Sequence, residues 1–434
     1  MFEYLSDILG FEEQQCRDEG RDISAYQGII RGIQALPLSR EREALARDVF
    51  EAIARVPDSE QMKNEPTEWA EIRACLPNAP EAKRPDLTPA EMTDRCLGAW
   101  LARAAGCLLG KPFEGRMRAE IYAYYGLEED AYAPIGYFRA REEEPNEFLR
   151  NVKQLSIEKL NGMPVDDDTN YTYLALTLLE KYGRGFTSAD WARHFVASLP
   201  PQETFTAERV AYPNPLELWD APQTAMRHNP YREWIGAQIR TDLYGYVNPG
   251  DPLAAAEMAN RDATVTHVRN GVYGAMWVSA AIANAYSMPA AQAIREALRV
   301  LPPRSRLRAA LEEALEDFDG GMRWEDATRK LRKQWDEANR HHWCHVISNA
   351  VIVANAILYG KEDVGTTLSM AVLPGFDTDC NGATAGSILG ASLGAKALPR
   401  EWIGPMSDFL NVSLIGAQGQ PFTELARRTV AFIR

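Results

Sequence analysis

Apolar residues recur along this chain at intervals of three and four, and no sustained stretch alternates apolar with polar residues. Tyr171, Leu174, Leu178 and Tyr182 mark one such face, and Ile29, Ile30, Ile33 and Leu36 another. Residues 272–285 are apolar almost throughout. Such intervals place one side of a helix against a core, whereas a half-buried strand would alternate at every second residue. The chain is therefore expected to be all-α. Residues 1–62 carry short amphipathic patterns ended by Pro57 and read as an N-terminal helical extension. The proline- and charge-rich residues 63–93 read as an extended connecting arm, and residues 94–434 as the main domain. Within that domain, residues 120–160 are polar and tyrosine-rich, include the acidic run Glu142-Glu143-Glu144, and are expected to form a long loop able to act as a lid. Residues 212–232, broken by prolines and asparagines, are expected at the rim of a pocket.

Two stretches are richer in small residues than an amphipathic helix requires. From Gly382 one glycine recurs per turn, at Gly386, Gly390 and Gly394, with Ala383, Ala385, Ala391 and Ala395 between them. A face without side chains lets another helix approach to backbone contact. The stretch from about residue 90 to 109 carries Ala99, Ala102, Ala104, Ala105 and Gly106, then breaks at Gly110-Lys111-Pro112 and leaves Glu114 on a loop. A membrane span is not implied, because Asp377 and Asp379 directly precede the glycine stripe and no purely apolar run of about 18 residues follows.

The candidate chemistry lies in two acidic runs, Val165-Asp166-Asp167-Asp168-Thr169-Asn170 and Gly375-Phe376-Asp377-Thr378-Asp379-Cys380-Asn381. Each precedes a helical pattern, so each is expected at a helix N-terminus, where the macrodipole and free N–H groups favour negative charge. Asp167 or Asp168 would cap the first of these helices. A cap needs one carboxylate, and the repulsion among three is relieved by a hard cation such as Mg²⁺ or Mn²⁺. A cap with solvated neighbours is the plain alternative for the first run taken alone. The second run favours two closely packed core helices that present their aspartates to one shared metal site.

Charge and cysteine usage narrow the partners. The formal net charge of -14 argues against nucleic acid or an anionic membrane surface as the main partner. Six cysteines without C-x-x-C spacing suggest neither a zinc site nor a disulfide framework. The N-terminus lacks the basic start and apolar core of a signal peptide, so a cytoplasmic location is expected. His341, His342 and His345 lack the glutamate of an H-E-x-x-H zinc motif. His345 and Asn349, one turn apart, are expected to buttress the acidic core. His267, beside an apolar helix, reads as a binding or structural residue rather than a catalyst.

These motifs resemble those of the ADP-ribosylglycohydrolases, a family that includes dinitrogenase reductase-activating enzymes and J-type eye-lens crystallins. Gly106-Cys107-Leu108-Leu109-Gly110-Lys111-Pro112-Phe113-Glu114 matches the family's G-D-A-L-G-x-P-x-E. Asp166-Asp167-Asp168-Thr169 matches T-D-D-T, and Asp377-Thr378-Asp379-Cys380 matches D-T-D-T. The resemblance implies an orthogonal all-α bundle that binds two Mg²⁺ or Mn²⁺ ions through Asp166, Asp167, Asp168, Asp377, Asp379 and Cys380. Glu114 and Asp168 would be catalytic. The implied reaction is hydrolysis of an N- or O-glycosidic bond at the anomeric carbon of a ribosyl or ADP-ribosyl group, on an ADP-ribosylated protein or a small ribosylated molecule. Gly236, Arg240, His267 and Asn270 would touch the substrate.

The chain also departs from the family pattern. Asp166 and Cys380 stand where the family has threonine, and Cys107 where it has aspartate. The phosphate-cradling run G-S-x-G-N-G-A-A-M-R keeps only its tail, Ile235-Gly236-Ala237-Gln238-Ile239-Arg240, after the bulky Tyr231-Arg232-Glu233-Trp234. A non-catalytic, crystallin-like or ligand-binding member is the alternative reading. A prenyl-diphosphate enzyme is a poor rival, because Tyr171 stands where D-D-x-x-D needs an acid.

Overall fold

The computed structural model describes residues 4–142 and 146–433. Glu143 and Glu144 of the acidic run, and the first three residues, lie outside the described residues. The fold is all-α. Among the described residues there is no β-sheet, and Met163–Leu410, Leu410–Gln420 and Trp234–His345 pair only as isolated bridges. The principal helices are α1 Leu5–Asp18, α2 Gln27–Gln34, α3 Arg40–Ile53, α4 Pro89–Gly110, α5 Asp167–Tyr182, α6 Pro252–Ala263, α7 Arg269–Ala285, α8 Val346–Gly360, α9 Val364–Val372, α10 Thr378–Leu393 and α11 Phe422–Val430. No helix among the described residues is long and apolar enough to cross a membrane.

Helix α10 lies at the centre, with α4, α7, α8 and α9 around it. It is buried from Thr378 to Ser392, and α7 is buried along its whole length, as expected of helices apolar on every side. Helix α4 starts from Thr88, whose hydroxyl accepts from the Glu91 N–H while the Glu91 carboxylate accepts from the Thr88 N–H. Pro89 at the first helical position completes this start.

The glycine face of α10 packs antiparallel on α4. Gly98 meets Gly390, Ala102 meets Gly386, Gly106 meets Gly382, and Gly110 meets Thr378. The approach is so close that a Cβ built on Gly98 would lie 2.6 Å from the Gly390 carbonyl oxygen. The tight partner is thus α4, not the helix that follows the first acidic run. The physical reason is spacing: α4 carries its own small residues every four positions at 98, 102, 106 and 110, whereas α5 presents Tyr171, Tyr173 and Leu174 to the core. The Thr378 hydroxyl donates to the Gly110 carbonyl (2.9 Å) and clamps the end of α4 to the start of α10.

Helices α1 to α3 bury Ile8, Leu9, Ile30, Ile33, Val49, Phe50 and Ile53 in one cluster with Tyr231, Trp234, Ile235 and Ile239 of the main body. Buried ion pairs cross the same contact. Arg232 binds Glu12 (2.6 Å) and Glu19 (2.8 Å), Arg269 binds Glu233 (2.8 Å) and Glu19, and Arg306 binds Glu65 (2.8 Å) and Glu233 (2.7 Å). Each acid is matched by an arginine, which is the condition for burying charge at tolerable cost.

Three stretches expected to be irregular carry more local structure than their composition predicts. The arm at 63–93 contains helix Trp69–Ala74, and α4 already begins at Pro89. The stretch at 120–160 is no free lid, because Ile135, Phe138 and Leu149 are buried. Tyr124 packs its ring on Phe113 (5.3 Å between centroids) and Phe138 (5.5 Å), fixing that stretch to the body. The rim at 212–232 includes the short helix Gln223–Met226.

Backbone contact between α4 and α10 makes opposite predictions for two glycines. Gly106→Ala, whose new methyl would fall on the Gly382 backbone, is expected to destabilise by about 3 kcal/mol or more in urea unfolding. Gly32→Ala, on the exposed side of α2 with nothing within 4 Å, is expected to stabilise by about 0.5–1 kcal/mol.

Candidate metal centre

Three chain segments meet where α4 ends and where α5 and α10 begin. Asp168, Asp379 and Cys380 each bring a ligand atom to within 4.8 Å of the others, and Cys107, Asp166 and Asp168 do the same alongside. The two acidic runs, more than two hundred residues apart in sequence, therefore share one centre.

The cap of α5 is Asp166 rather than either following aspartate, since its Oδ1 accepts from the Asp168 N–H (2.9 Å). Its other oxygen, Oδ2, accepts from Lys111 Nζ (2.5 Å). Asp168 is fully buried. Arg103, from the middle of α4, binds its carbonyl oxygen (2.7 Å) and its Oδ1 (3.3 Å), and reaches Asp242 (2.7 Å) with its other amino group. Asp168 Oδ2 and Asp379 Oδ1 are buried and accept from no protein donor. Asp377 accepts from the Cys344 thiol (3.5 Å), and its N–H donates to Asn349 Oδ1 (3.3 Å). Asn349 in turn donates to the His345 carbonyl (2.9 Å) and accepts from Asn381 (2.8 Å), so it buttresses the acidic core as expected. Asp167 is half-buried and Glu114 exposed.

Packing these carboxylates together perturbs their acidity. Burial, then Asp166, raises Asp167 and Asp168 well above the ordinary carboxylate range. Burial, then Asp379, does the same to Asp377. Asp379 is pushed up to about 6, by burial first and Asp166 next. Glu114 is raised mainly by the Asp379 carboxylate, with desolvation second. Asp166 goes the other way: against its burial, the Lys111 ammonium holds it below the usual value. Two buried, undonated carboxylate oxygens amid acids that resist ionisation form a donor set that fits a hard divalent cation.

The expected substrate residues fall in two places. Gly236, Arg240 and His267 gather around Glu208, whose carboxylate fills the space beside the Gly236 α-carbon. Arg240 is buried, with Nε on Asp262 (2.6 Å) and Nη1 on Glu208 (2.5 Å), so its guanidinium is committed within the protein. His267 is fully buried, pairs its Nδ1 with the Thr266 hydroxyl (2.7 Å), and is held neutral by burial and then by Arg240. Asn270 lies elsewhere, its Oδ1 accepting from the Leu307 N–H (2.9 Å).

The histidine group does not read as a second metal site. His341 Nδ1 accepts from the Trp234 indole (3.1 Å) and His345 Nδ1 from the Ile347 N–H (3.2 Å), so each neutral ring carries its proton on Nε2. His341 Nε2 accordingly faces Asp18 (2.7 Å) as a hydrogen-bond donor.

Sequence reasoning gave no role to Lys111, Arg103 or Glu208. Arg103 was detectable as the lone charge within a run of small buried residues. Glu208 sits in no motif, and only the fold brings it to Gly236, Arg240 and His267.

The geometry defines an all-α protein with a carboxylate centre built at helix N-termini. Residues 88–433 match the family model described as ADP-ribosylglycohydrolase, and the chain belongs to that family. A solved structure titled "ADP-ribosylglycohydrolase-related protein complex" is similar at 21% identity and a TM-score of 0.45, covering 79% of this chain and 98% of that one. No curated protein sequence matches the chain.

The raised carboxyls carry a pH prediction. Without a cation the folded protein binds more protons than the unfolded chain from the ordinary carboxylate range up to about 6 and beyond, so its stability falls as pH rises through that window. A divalent ion competes with those protons. The rise in Tm on adding Mn²⁺ is therefore expected to be small near pH 5 and clearly larger near pH 7.5, and a pH-independent rise would contradict this.

Proposed function

We propose that the protein is a divalent-metal-dependent hydrolase that cleaves an N- or O-glycosidic bond at the anomeric carbon of a ribosyl group. The observation that carries the reading is the pair of buried, undonated oxygens on Asp168 and Asp379, in a chain of a glycohydrolase family. Asp167, Asp168, Asp377, Asp379 and Cys380 would hold the ion, Mg²⁺ or Mn²⁺. Once bound, the ion orients ribose hydroxyls and lowers the pKa of a water molecule.

The chain's own groups supply the rest. Glu114, raised by its acidic neighbours and exposed to solvent, moves a proton between water and leaving group. The clustered carboxylates stabilise the positive charge that develops at the anomeric carbon. Arg103 holds the start of α5 so that Asp168 keeps its free oxygen aimed at the centre.

A small ribosylated molecule is favoured over an ADP-ribosylated protein as substrate. Arg232 and Arg240, the cations nearest to the remnant phosphate cradle in sequence, are engaged by Glu12, Glu19, Glu208 and Asp262. Tyr231 is fully buried against Trp234 (4.3 Å between ring centroids).

Parallel assays on a riboside and on an ADP-ribosylated protein, with and without Mn²⁺, test the reading. Asp379→Asn is expected to abolish metal-dependent hydrolysis while leaving the helical circular dichroism unchanged, and activity close to wild type would refute the role given to Asp379. Glu114→Gln is expected to lower kcat by about 10²–10⁴-fold and to remove one limb of the pH profile. Failure of the wild-type protein on every riboside, together with no ion uptake, would favour the non-catalytic alternative.

A further inference from the structure

The centre holds a second triad of possible ligand atoms, Cys107, Asp166 and Asp168, with the same 4.8 Å span as the first. Such a span suits the shell of a single small cation. The triads differ in what already meets them. In the triad of Asp168, Asp379 and Cys380, two buried oxygens accept from no protein donor. At Asp166 both oxygens are taken, one by the Asp168 N–H (2.9 Å) and the other by Lys111 Nζ (2.5 Å).

The lysine is fixed in place. It follows Gly110, whose carbonyl is held by the Thr378 hydroxyl (2.9 Å), and Pro112 sets the turn after it. Its side chain is only 20% exposed. A divalent ion on Asp166 would have to share an oxygen with this ammonium, and two cations on one carboxylate repel strongly. Asp166 also replaces a threonine of the family motif, so the added acid and the lysine form a matched pair in this chain.

Resting on the metal-dependent reading above, we propose that the Lys111 ammonium is the resident cation of the second triad, so that the centre takes one divalent ion rather than two. Lys111 is then a positioning residue that neutralises Asp166 and keeps it from ligating.

The test is the stoichiometry of Mn²⁺ bound to the full chain near pH 7.5, read from the electron paramagnetic resonance signal of free Mn²⁺ during titration. Wild type and Lys111→Arg are expected to bind one ion per chain, and Lys111→Met two. Two ions on wild type, or one on a folded Lys111→Met, would overturn the inference while leaving the metal reading intact. No uptake by wild type would overturn both together. If Lys111→Met does not fold, the wild-type count decides alone, with one ion upholding the proposal and two refuting it.

Discussion

The close approach of α4 and α10 governs the rest of the structure. Because backbone meets backbone from Gly98–Gly390 to Gly110–Thr378, the register between the two helices leaves little freedom. The end of α4 must then lie at the start of α10, which brings Lys111 and Glu114 to Asp377 and Asp379. Arg103, one residue after Ala102 in the same contact, reaches sideways to the carbonyl of Asp168 and to Asp242. One helix thus fixes the positions of both acidic runs, through small residues on one side and a single arginine on another.

That arrangement concentrates charge that the protein alone does not balance. Elsewhere it does balance it: Arg232, Arg269 and Arg306 are matched with Glu12, Glu19, Glu65 and Glu233 where the N-terminal helices meet the body. Arg240 is matched with Glu208 and Asp262. At the carboxylate centre Lys111 answers Asp166 and Arg103 reaches one oxygen of Asp168, while Asp377 and Asp379 make no ion pair among the described residues. A fold that pairs its buried acids carefully in two places and leaves a third cluster with more acids than cations points to a positive charge supplied from outside. The same pairing underlies the proposed preference for a small riboside, since Arg232 and Arg240 are engaged in internal ion pairs.

Much of this was legible in the sequence, because it rests on local pattern. Helical periodicity indicated the all-α class, the two acidic runs stood at helix starts, and the glycine row on α10 announced a close contact. The partner in that contact was not legible: the matching row at 98, 102, 106 and 110 mixes glycine with alanine inside a helix that is small-residue-rich on several faces. The cap at Asp166 was missed because three adjacent aspartates are equivalent until a neighbour distinguishes them, and that neighbour is Lys111. Arg240 looked free in sequence because Glu208 and Asp262, which occupy it, lie 32 and 22 residues away. Pairing across such separations is decided by the packed fold.

The central claim is that the acidic runs converge on a bound divalent ion, and anomalous diffraction from crystals grown with Mn²⁺ tests it most directly. An anomalous peak within bonding distance of the Asp168 and Asp379 carboxylates is the predicted result. A protein saturated with Mn²⁺ that shows no peak between those two side chains would contradict the account.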